Sequence, residues 1–211
     1  MKLKTALFLV MNGFASLTSS MAQSNIIQIS NQQKKVAITY SSAESKLAAE
    51  ILYSYLEKSL PNTFEIKDKN ITKSDAQIIL EIQKNNKELK DQEFILKSNS
   101  QDISLLATNL KSLKYAVYTL LEKWEFRKFT ATVSYIPKPD AFIFPKNFYQ
   151  KYQPTFAYRT LLYPDSYDQA FREWHKLDWF NDDFGLWGHT FDRLVPPKTH
   201  FKTNPKLYAL Y

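Results

Sequence analysis

Lys35-Val36-Ala37-Ile38-Thr39-Tyr40-Ser41-Ser42-Ala43-Glu44 is the stretch on which the fold turns. Its first six residues carry β-branched and aromatic side chains and read as a strand. The next four fit a capping box, in which a serine accepts the amide three residues on and the glutamate returns to the serine amide. Leu47, Ala48, Ile51, Leu52, Tyr55 and Leu56 then recur at helical spacing until Pro61 stops the run. That stripe predicts an amphipathic helix packed on a sheet. A strand feeding directly into such a helix opens an α/β layer.

The surrounding sequence extends the layer in both directions. Upstream, Ile26-Ile27-Gln28-Ile29 reads as a strand joined to the first by the polar turn Asn31 to Lys34. Downstream, residues 64–68, 76–83 and 93–97 read as strands, with a weaker one at 103–107 and a polar connection from Lys84 to Asp91. Leu113, Ala116, Val117, Leu120, Leu121 and Trp124 mark the face of a second helix, with Ser112 as its expected cap. The fold class expected for residues 23–130 is therefore α/β: a layered domain with two helices on one face of a mixed sheet. This stretch holds no histidine, cysteine or glycine, and no catalytic constellation is read in it.

Composition bounds the rest. A hydrophobic content of 44% with 15% aromatics is that of a folding chain, and 211 residues are enough to bury a core. Met1-Lys2-Leu3-Lys4 is basic, an apolar run from Ala6 to Leu17 follows, and Ser20-Met21-Ala22 offers a small-x-small cleavage site. Residues 1–22 thus read as a signal peptide, with export to the periplasm or the extracellular space. The run is too short, and too broken by Asn12 and Gly13, to span a bilayer, so no membrane association is expected after cleavage. The chain has no cysteine, which excludes disulfides and cysteine chemistry. Cleavage removes Lys2 and Lys4 and lowers the net charge from +7 to +5. The remaining lysines are dispersed among acids and amides, a pattern of solvated faces that makes no nucleic-acid groove.

After Trp124 the texture changes. Pro137, Pro139, Pro145 and Pro154 fall among polar and aromatic residues, and residues 131–154 read as a proline-containing connector. Beyond it, Thr155 to Leu162 reads as a strand entering a second domain, residues 155–211. Asp165 or Ser166 is expected to cap a short helix that turns Tyr167, Ala170, Phe171 and Trp174 toward a core. Asn204-Pro205 looks like a cap followed by proline at the first helical position. A helix with no stop signal before Tyr211 suggests the opening of a larger domain.

Phe184-Gly185-Leu186-Trp187-Gly188-His189-Thr190-Phe191 is the compositional anomaly of this second domain. Two of the three glycines of the chain lie there, and all three histidines fall between positions 174 and 200. Glycine serves where the backbone takes positive φ or is closely approached. The stretch fits a ligand-facing loop and fits equally a buried aromatic cluster around a turn. Asp182-Asp183 offers two carboxylates for acid/base work or two solvated loop acids. His189 suits a ligand hydroxyl, proton transfer or a structural hydrogen bond. Arg159, at the end of the expected strand, either braces a carboxylate or binds substrate oxygens. The histidines have no ligand-like spacing, and no phosphate-binding or metalloprotease motif is present; neither a metal nor a cofactor is expected.

These residues carry a resemblance. Phe156-x-Tyr158-Arg159, Trp174-His175, Trp187-Gly188-His189-Thr190-Phe191, Leu194-Val195-Pro196-Pro197 and Asn204-Pro205-x-x-Tyr208-Ala209-Leu210 resemble the start of the central domain of domain-of-unknown-function family 4838, a family of exported bacterial proteins. Ala48-Ala49-Glu50-x-Leu52-x-x-Tyr55-Leu56 and Leu113-Lys114-Tyr115-Ala116-Val117-Tyr118-x-Leu120-Leu121 are similar to the non-catalytic N-terminal domain that precedes the barrel in family 20 hexosaminidases and α-glucuronidases. The resemblance implies a glycoside hydrolase whose (β/α)8 barrel begins near Thr155, present here as its first, incomplete segment. It places Arg159 and the 181–191 loop at the sugar-binding mouth. It implies a glycan ligand, with Trp187 stacking on a sugar ring, Arg159 and His189 holding hydroxyls, and Asp182 and Asp183 beside them. The two carboxyl groups that hydrolysis requires come from later strands in related barrels, so the chain itself is expected to lack the catalytic acids. A non-catalytic carbohydrate-binding or cell-surface interaction protein is the alternative.

Overall fold

The computed structural model describes residues 25–32, 35–69, 77–179 and 191–208; the expected signal peptide lies outside them. In chain order the strands are β1 (Ile26–Ser30), β2 (Val36–Tyr40), β3 (Phe64–Asp68), β4 (Gln77–Ile82), β5 (Phe94–Ser98), β6 (Ile103–Ala107), β7 (Arg127–Lys128), β8 (Ser134–Tyr135), β9 (Ala141–Pro145) and β10 (Tyr149–Tyr152). The two long helices are α1 (Ala43–Ser59) and α2 (Leu110–Lys123). The described residues divide between Ala157 and Tyr158 into two compact units.

β2 lies inside a mixed six-stranded sheet of order β10-β5-β6-β4-β2-β3. It runs parallel to β3 and β4, β4 runs parallel to β6, and β5 closes antiparallel on β6. The register sets Val36 beside Phe64, Ile38 beside Ile78, Leu80 beside Leu105 and Leu105 beside Leu96. Because side chains alternate across a sheet, this row of aliphatic residues shares one face, and all of it is buried.

Both long helices cover that face. α1 packs on β2, β3 and β4, α2 on β4, β5 and β6, and the helices touch one another. Tyr55 of α1 meets Tyr118 of α2 edge to face at 6.5 Å. The buried stripe of α1 is Ala48, Ala49, Leu52 and Leu56; Leu47, expected in that stripe, is half exposed. Alanine at three of the facing positions, with Ala116 on α2, keeps the apolar contact thin enough for close approach.

Both caps differ from the sequence reading. α1 starts at Ala43, so the third helical residue is Ser45 and the box is built from two serines. The Ser42 hydroxyl accepts the Ser45 amide at 3.1 Å, and Ser45 Oγ accepts the Ser42 amide at 2.9 Å. Glu44 reaches Lys84 at 3.2 Å instead. In α2, Asn109 takes the cap because its extended backbone aims Oδ1 at the Ser112 amide, 2.9 Å away, while Ser112 lies inside the first turn.

The stretch 131–154, read from sequence as a connector, is part of the first unit. β9 pairs antiparallel with β1, and β10 joins the edge of the large sheet against β5. The prolines punctuate these strands without breaking them. Pro145 ends β9 and Pro154 follows β10, positions where a missing amide costs no internal ladder bond. The buried Pro137 carbonyl accepts the Ser59 hydroxyl at the end of α1 at 2.5 Å.

Aromatic rings join these parts. Trp124, which ends α2, stacks on Phe142 of β9 at 4.7 Å, and its indole N–H donates to the Ile143 carbonyl at 3.1 Å. Phe126 lies 5.9 Å and Phe64 6.3 Å from the same Phe142 ring. β9 reads buried-exposed-buried at Phe142, Ile143 and Phe144, and the register sets Ile29 and Ile27 of β1 opposite the two phenylalanines.

Thr155 to Leu162 contains no strand, so the expected opening strand of a barrel is not formed there. The segment holds apolar residues, yet Arg159 bonds to the loop at Lys176 and Asp178 and not to a strand ladder. Among the described residues of the second unit the structure is short helical turns: a 3-10 turn Pro164–Tyr167, α3 (Gln169–Trp174), α4 (Phe191–Leu194), α5 (Pro197–His200) and a 3-10 turn Pro205–Leu207. Asp168 caps α3, its Oδ1 accepting the Phe171 amide at 2.6 Å, where Asp165 or Ser166 was expected. Proline at the start of the preceding turn commits Asp165 and Ser166 to that turn and moves the cap three residues on. Phe171 and Trp174 point inward as expected, whereas Tyr167 and Ala170 are exposed. Asn204 makes no side-chain cap to the turn at Pro205.

An ion pair between a buried carboxylate and a partly exposed lysine ties β10 to the residue that precedes β5. Glu93 Oε2 meets Lys151 Nζ at 2.8 Å and accepts the Lys90 amide at 2.9 Å. Burial alone raises the Glu93 carboxyl, but the Lys151 hydrogen bond, the Lys90 amide and the two ammonium charges outweigh it and hold the group below its ordinary value of 4.5. A depressed carboxyl stabilises the fold above the unfolded pKa and loses that contribution as pH falls through the folded one. Glu93→Gln is accordingly less stable than the wild type near neutrality, and the difference in urea midpoint narrows as pH falls from about 6 to about 3. In the same assay Phe142→Ala loses about 3–5 kcal/mol, while Leu47→Ala stays within about 0.5 kcal/mol of wild type.

Candidate functional site

Arg159 is the one sequence-predicted site residue that lies among the described residues. Trp187, His189, Asp182 and Asp183 lie outside them. Arg159 is half-buried in an extended segment and is locked to the loop after α3. Its amide donates to Asp178 Oδ2 at 2.9 Å, and the Asp178 amide donates back to the Arg159 carbonyl at 2.6 Å. Arg159 Nε donates to the Lys176 carbonyl at 2.9 Å. Lys176 takes φ of 58°, a left-handed turn in a residue other than glycine, and that turn presents its carbonyl to the guanidinium. Asp178 is only 5% exposed; a buried carboxylate is tolerated where it accepts amide hydrogens, as here.

Beside this lock is an aromatic group that the sequence reading did not single out. Tyr167 meets Trp179 edge to face at 5.4 Å, and the Arg172 guanidinium lies 4.5 Å from the Trp179 ring centre. Arg172 Nη1 also donates to the Ser166 carbonyl at 2.7 Å, which fixes it over the ring. Tyr163 and Tyr167 are 58% and 60% exposed, and Leu161 and Leu162 are exposed next to them. The sequence signal was present as the spacing of Tyr167, Arg172 and Trp179 around a short helix. It was hidden because Tyr167 fits a core stripe equally well.

A second aromatic group forms at 191–208. Tyr208 packs edge to face on Phe201 at 5.4 Å and on Phe191 at 5.9 Å, and its hydroxyl donates to the Val195 carbonyl at 2.9 Å. Burial first and the Asp192 charge second push this phenol above its ordinary range. Among the described residues no group of three or more His, Asp or Glu side chains is placed to hold a metal ion.

The described chain is thus a mixed α/β protein: a helix-covered mixed sheet, and a unit of short turns that carries an anchored arginine and exposed aromatics. Residues 128–211, which include that second unit, match the family described as Domain of unknown function (DUF4838). No curated protein matches the chain. Similar solved structures include an inactive mutant of the family 20 exo-β-N-acetylglucosaminidase from Vibrio harveyi, at 18% identity and a TM-score of 0.43. They also include a family 115 4-O-methyl-α-glucuronidase with specificity for decorated arabinogalactans, at 18% identity and a TM-score of 0.46. A mutant β-hexosaminidase from Streptomyces plicatus in complex with its product GlcNAc follows at 14% identity and a TM-score of 0.46. Each alignment covers 64% of this chain but only 18%, 19% and 25% of the respective structures, so the chain spans at most a quarter of their length.

The lock makes a direct prediction. Asp178→Ala removes the acceptor of the Arg159 amide and costs the second unit about 1–3 kcal/mol. Hydrogen exchange reads this as lost protection of the Arg159 amide, with the amides of β2 and β4 unchanged.

Proposed function

We propose that this chain is an exported glycan-recognising protein, the sugar-binding and non-cleaving portion of a glycoside hydrolase. The observation that carries the reading is the exposed Tyr167 ring against half-buried Trp179, with Arg172 fixed over the indole, beside the locked Arg159. A pyranose presents an apolar C–H face and a rim of hydroxyls. An aromatic ring covers the first, and guanidinium N–H groups donate to the second. Arg159 and this platform lie within the family-matched segment, the same segment whose motifs resemble a sugar-binding mouth. The signal-peptide pattern of residues 1–22 supports export.

Two carboxylates of this unit are committed elsewhere: Asp168 to the cap of α3 and Asp178 to the Arg159 amide. A glycosidase acid and its partner must instead face the scissile bond. This supports binding without turnover by these residues. The exposure of Tyr163 and Tyr167 also favours the second reading, a carbohydrate-binding or cell-surface interaction protein in which the same platform acts alone.

Affinity electrophoresis of the mature chain in gels containing arabinogalactan, pectin or glycol chitin tests the binding. Retardation by at least one polysaccharide is expected, reduced about tenfold in apparent affinity by Tyr167→Ala or Trp179→Ala. Equal mobility in every gel contradicts the reading. Incubated with aryl glycosides, the chain is expected to show no turnover; robust hydrolysis would overturn its non-cleaving role.

A further inference from the structure

The turn Lys90–Glu93 and the segment that follows β10 enclose an open cleft of about 260 Å³, lined by Lys90, Asp91, Gln92, Glu93, Gln153 and Thr155. All of these residues belong to the first unit. We propose that this cleft is a second saccharide site, shaped for a single neutral pyranose ring. It shares with the reading above only the chemical class of ligand and involves none of the platform residues.

The size sets the first limit. Pockets for drug-sized ligands run from roughly 300 to 1,000 Å³, so this cleft is matched to one ring and not to an extended chain.

The walls are fixed before any ligand arrives. Gln92 Nε2 donates to the Ala157 carbonyl at 2.8 Å and ties the two sides together. Gln92 holds φ of 63°, a conformation that only a well-determined turn imposes on a residue other than glycine. Asp91 Oδ1 accepts both the Gln92 amide at 3.0 Å and Asn109 Nδ2 at 2.8 Å, so the cap of α2 braces the turn. The Glu93 side chain, 3% exposed, is held by Lys151 and the Lys90 amide through Oε2. Such prior ordering lowers the entropy that a ligand has to overcome.

The lining chemistry selects the ligand class. Carboxylates only accept hydrogen bonds and ammonium groups only donate, while the Gln153 carboxamide and the Thr155 hydroxyl do both. Ring hydroxyls likewise both donate and accept, so neighbouring hydroxyls can be satisfied in turn along this wall. Pro154 and Ala157 supply apolar surface for the C–H face. Charge decides between neutral and acidic sugars. Lys90 and Lys151 balance Asp91 and Glu93 in number, and Lys151 is paired with Glu93 at 2.8 Å, so the cleft carries no net positive charge to attract a uronate carboxyl.

Calorimetric titration of the mature chain with glucose, galactose, N-acetylglucosamine and glucuronic acid tests the proposal. At least one neutral sugar is expected to bind saturably, with Kd on the order of millimolar. Thr155→Trp, which fills the cleft, and Gln153→Ala, a surface change, are each expected to weaken binding by about tenfold. The titrations are run in a Tyr167→Ala background, which weakens the platform, so that the affinity read belongs to the cleft. Absence of binding by every neutral sugar overturns the proposal, as does binding of glucuronic acid alone. Unaltered affinity in Gln153→Ala and Thr155→Trp proteins that melt like the wild type overturns it as well. Should Thr155→Trp fail to fold, Gln153→Ala decides.

Discussion

The stack of Trp124 on Phe142 is the contact on which the first unit depends. A single indole ends α2, covers a ring of β9 and donates to the β9 backbone, so one side chain joins the helical layer to a strand that follows it in sequence. Phe126 and Phe64 extend the contact, and Tyr55 carries it across to α1 through Phe126 at 6.2 Å. Burial of several large rings at one place stabilises by the apolar area removed from water and by ring-ring geometry together. β1, the first described strand, is positioned through its pairing with β9 and through Ile27 and Ile29 opposite the same phenylalanines. The described beginning of the unit is thus held by residues more than a hundred positions later.

The second unit is held by a different physical means. Among its described residues the helices are short and few side chains are fully buried; Trp174 is among them. Order comes instead from hydrogen bonds between side chains and backbone: Asp178 on the Arg159 amide, Arg159 on the Lys176 carbonyl, Arg172 on the Ser166 carbonyl and Asp168 on the Phe171 amide. Charged partners strengthen each of these bonds. The arrangement leaves the rings of Tyr163 and Tyr167 outside the core, exposed to solvent.

Much of the first unit was legible in the sequence, because hydrophobic periodicity is a local property. The period-2 runs at 36–40, 64–68, 77–82, 94–98 and 103–107 and the helical stripes before Pro61 and Trp124 all appear where the pattern places them. The caps were legible only to within a few residues, since Ser41, Ser42 and Asn109 all satisfy the same chemistry. β9 and β10 were not legible as sheet strands. Their pairing with β1 and β5 is long-range, and the prolines at their borders look the same in a connector as at strand ends. Thr155 to Leu162, which runs from the first unit into the second, has strand-like composition, but Asp178 captures Arg159 and the segment stays out of any ladder. Tyr167 and Trp179 come together through the turn at Pro164 and through α3, a juxtaposition that the core-stripe reading of Tyr167 concealed. The other candidate residues, Trp187, His189, Asp182 and Asp183, lie outside the described residues.

Recognition of glycans by an ordered but thinly buried aromatic surface is the idea that unites these observations. Backbone NMR of the isotopically labelled mature chain, titrated with an oligosaccharide that the chain retains, tests it most directly. The account predicts that the amides and indole N–H shifted by ligand cluster between Arg159 and Trp179, with Trp179 Nε1 among the largest. Shifts confined to other parts of the chain, with Tyr167, Arg172 and Trp179 unmoved at saturation, would contradict it.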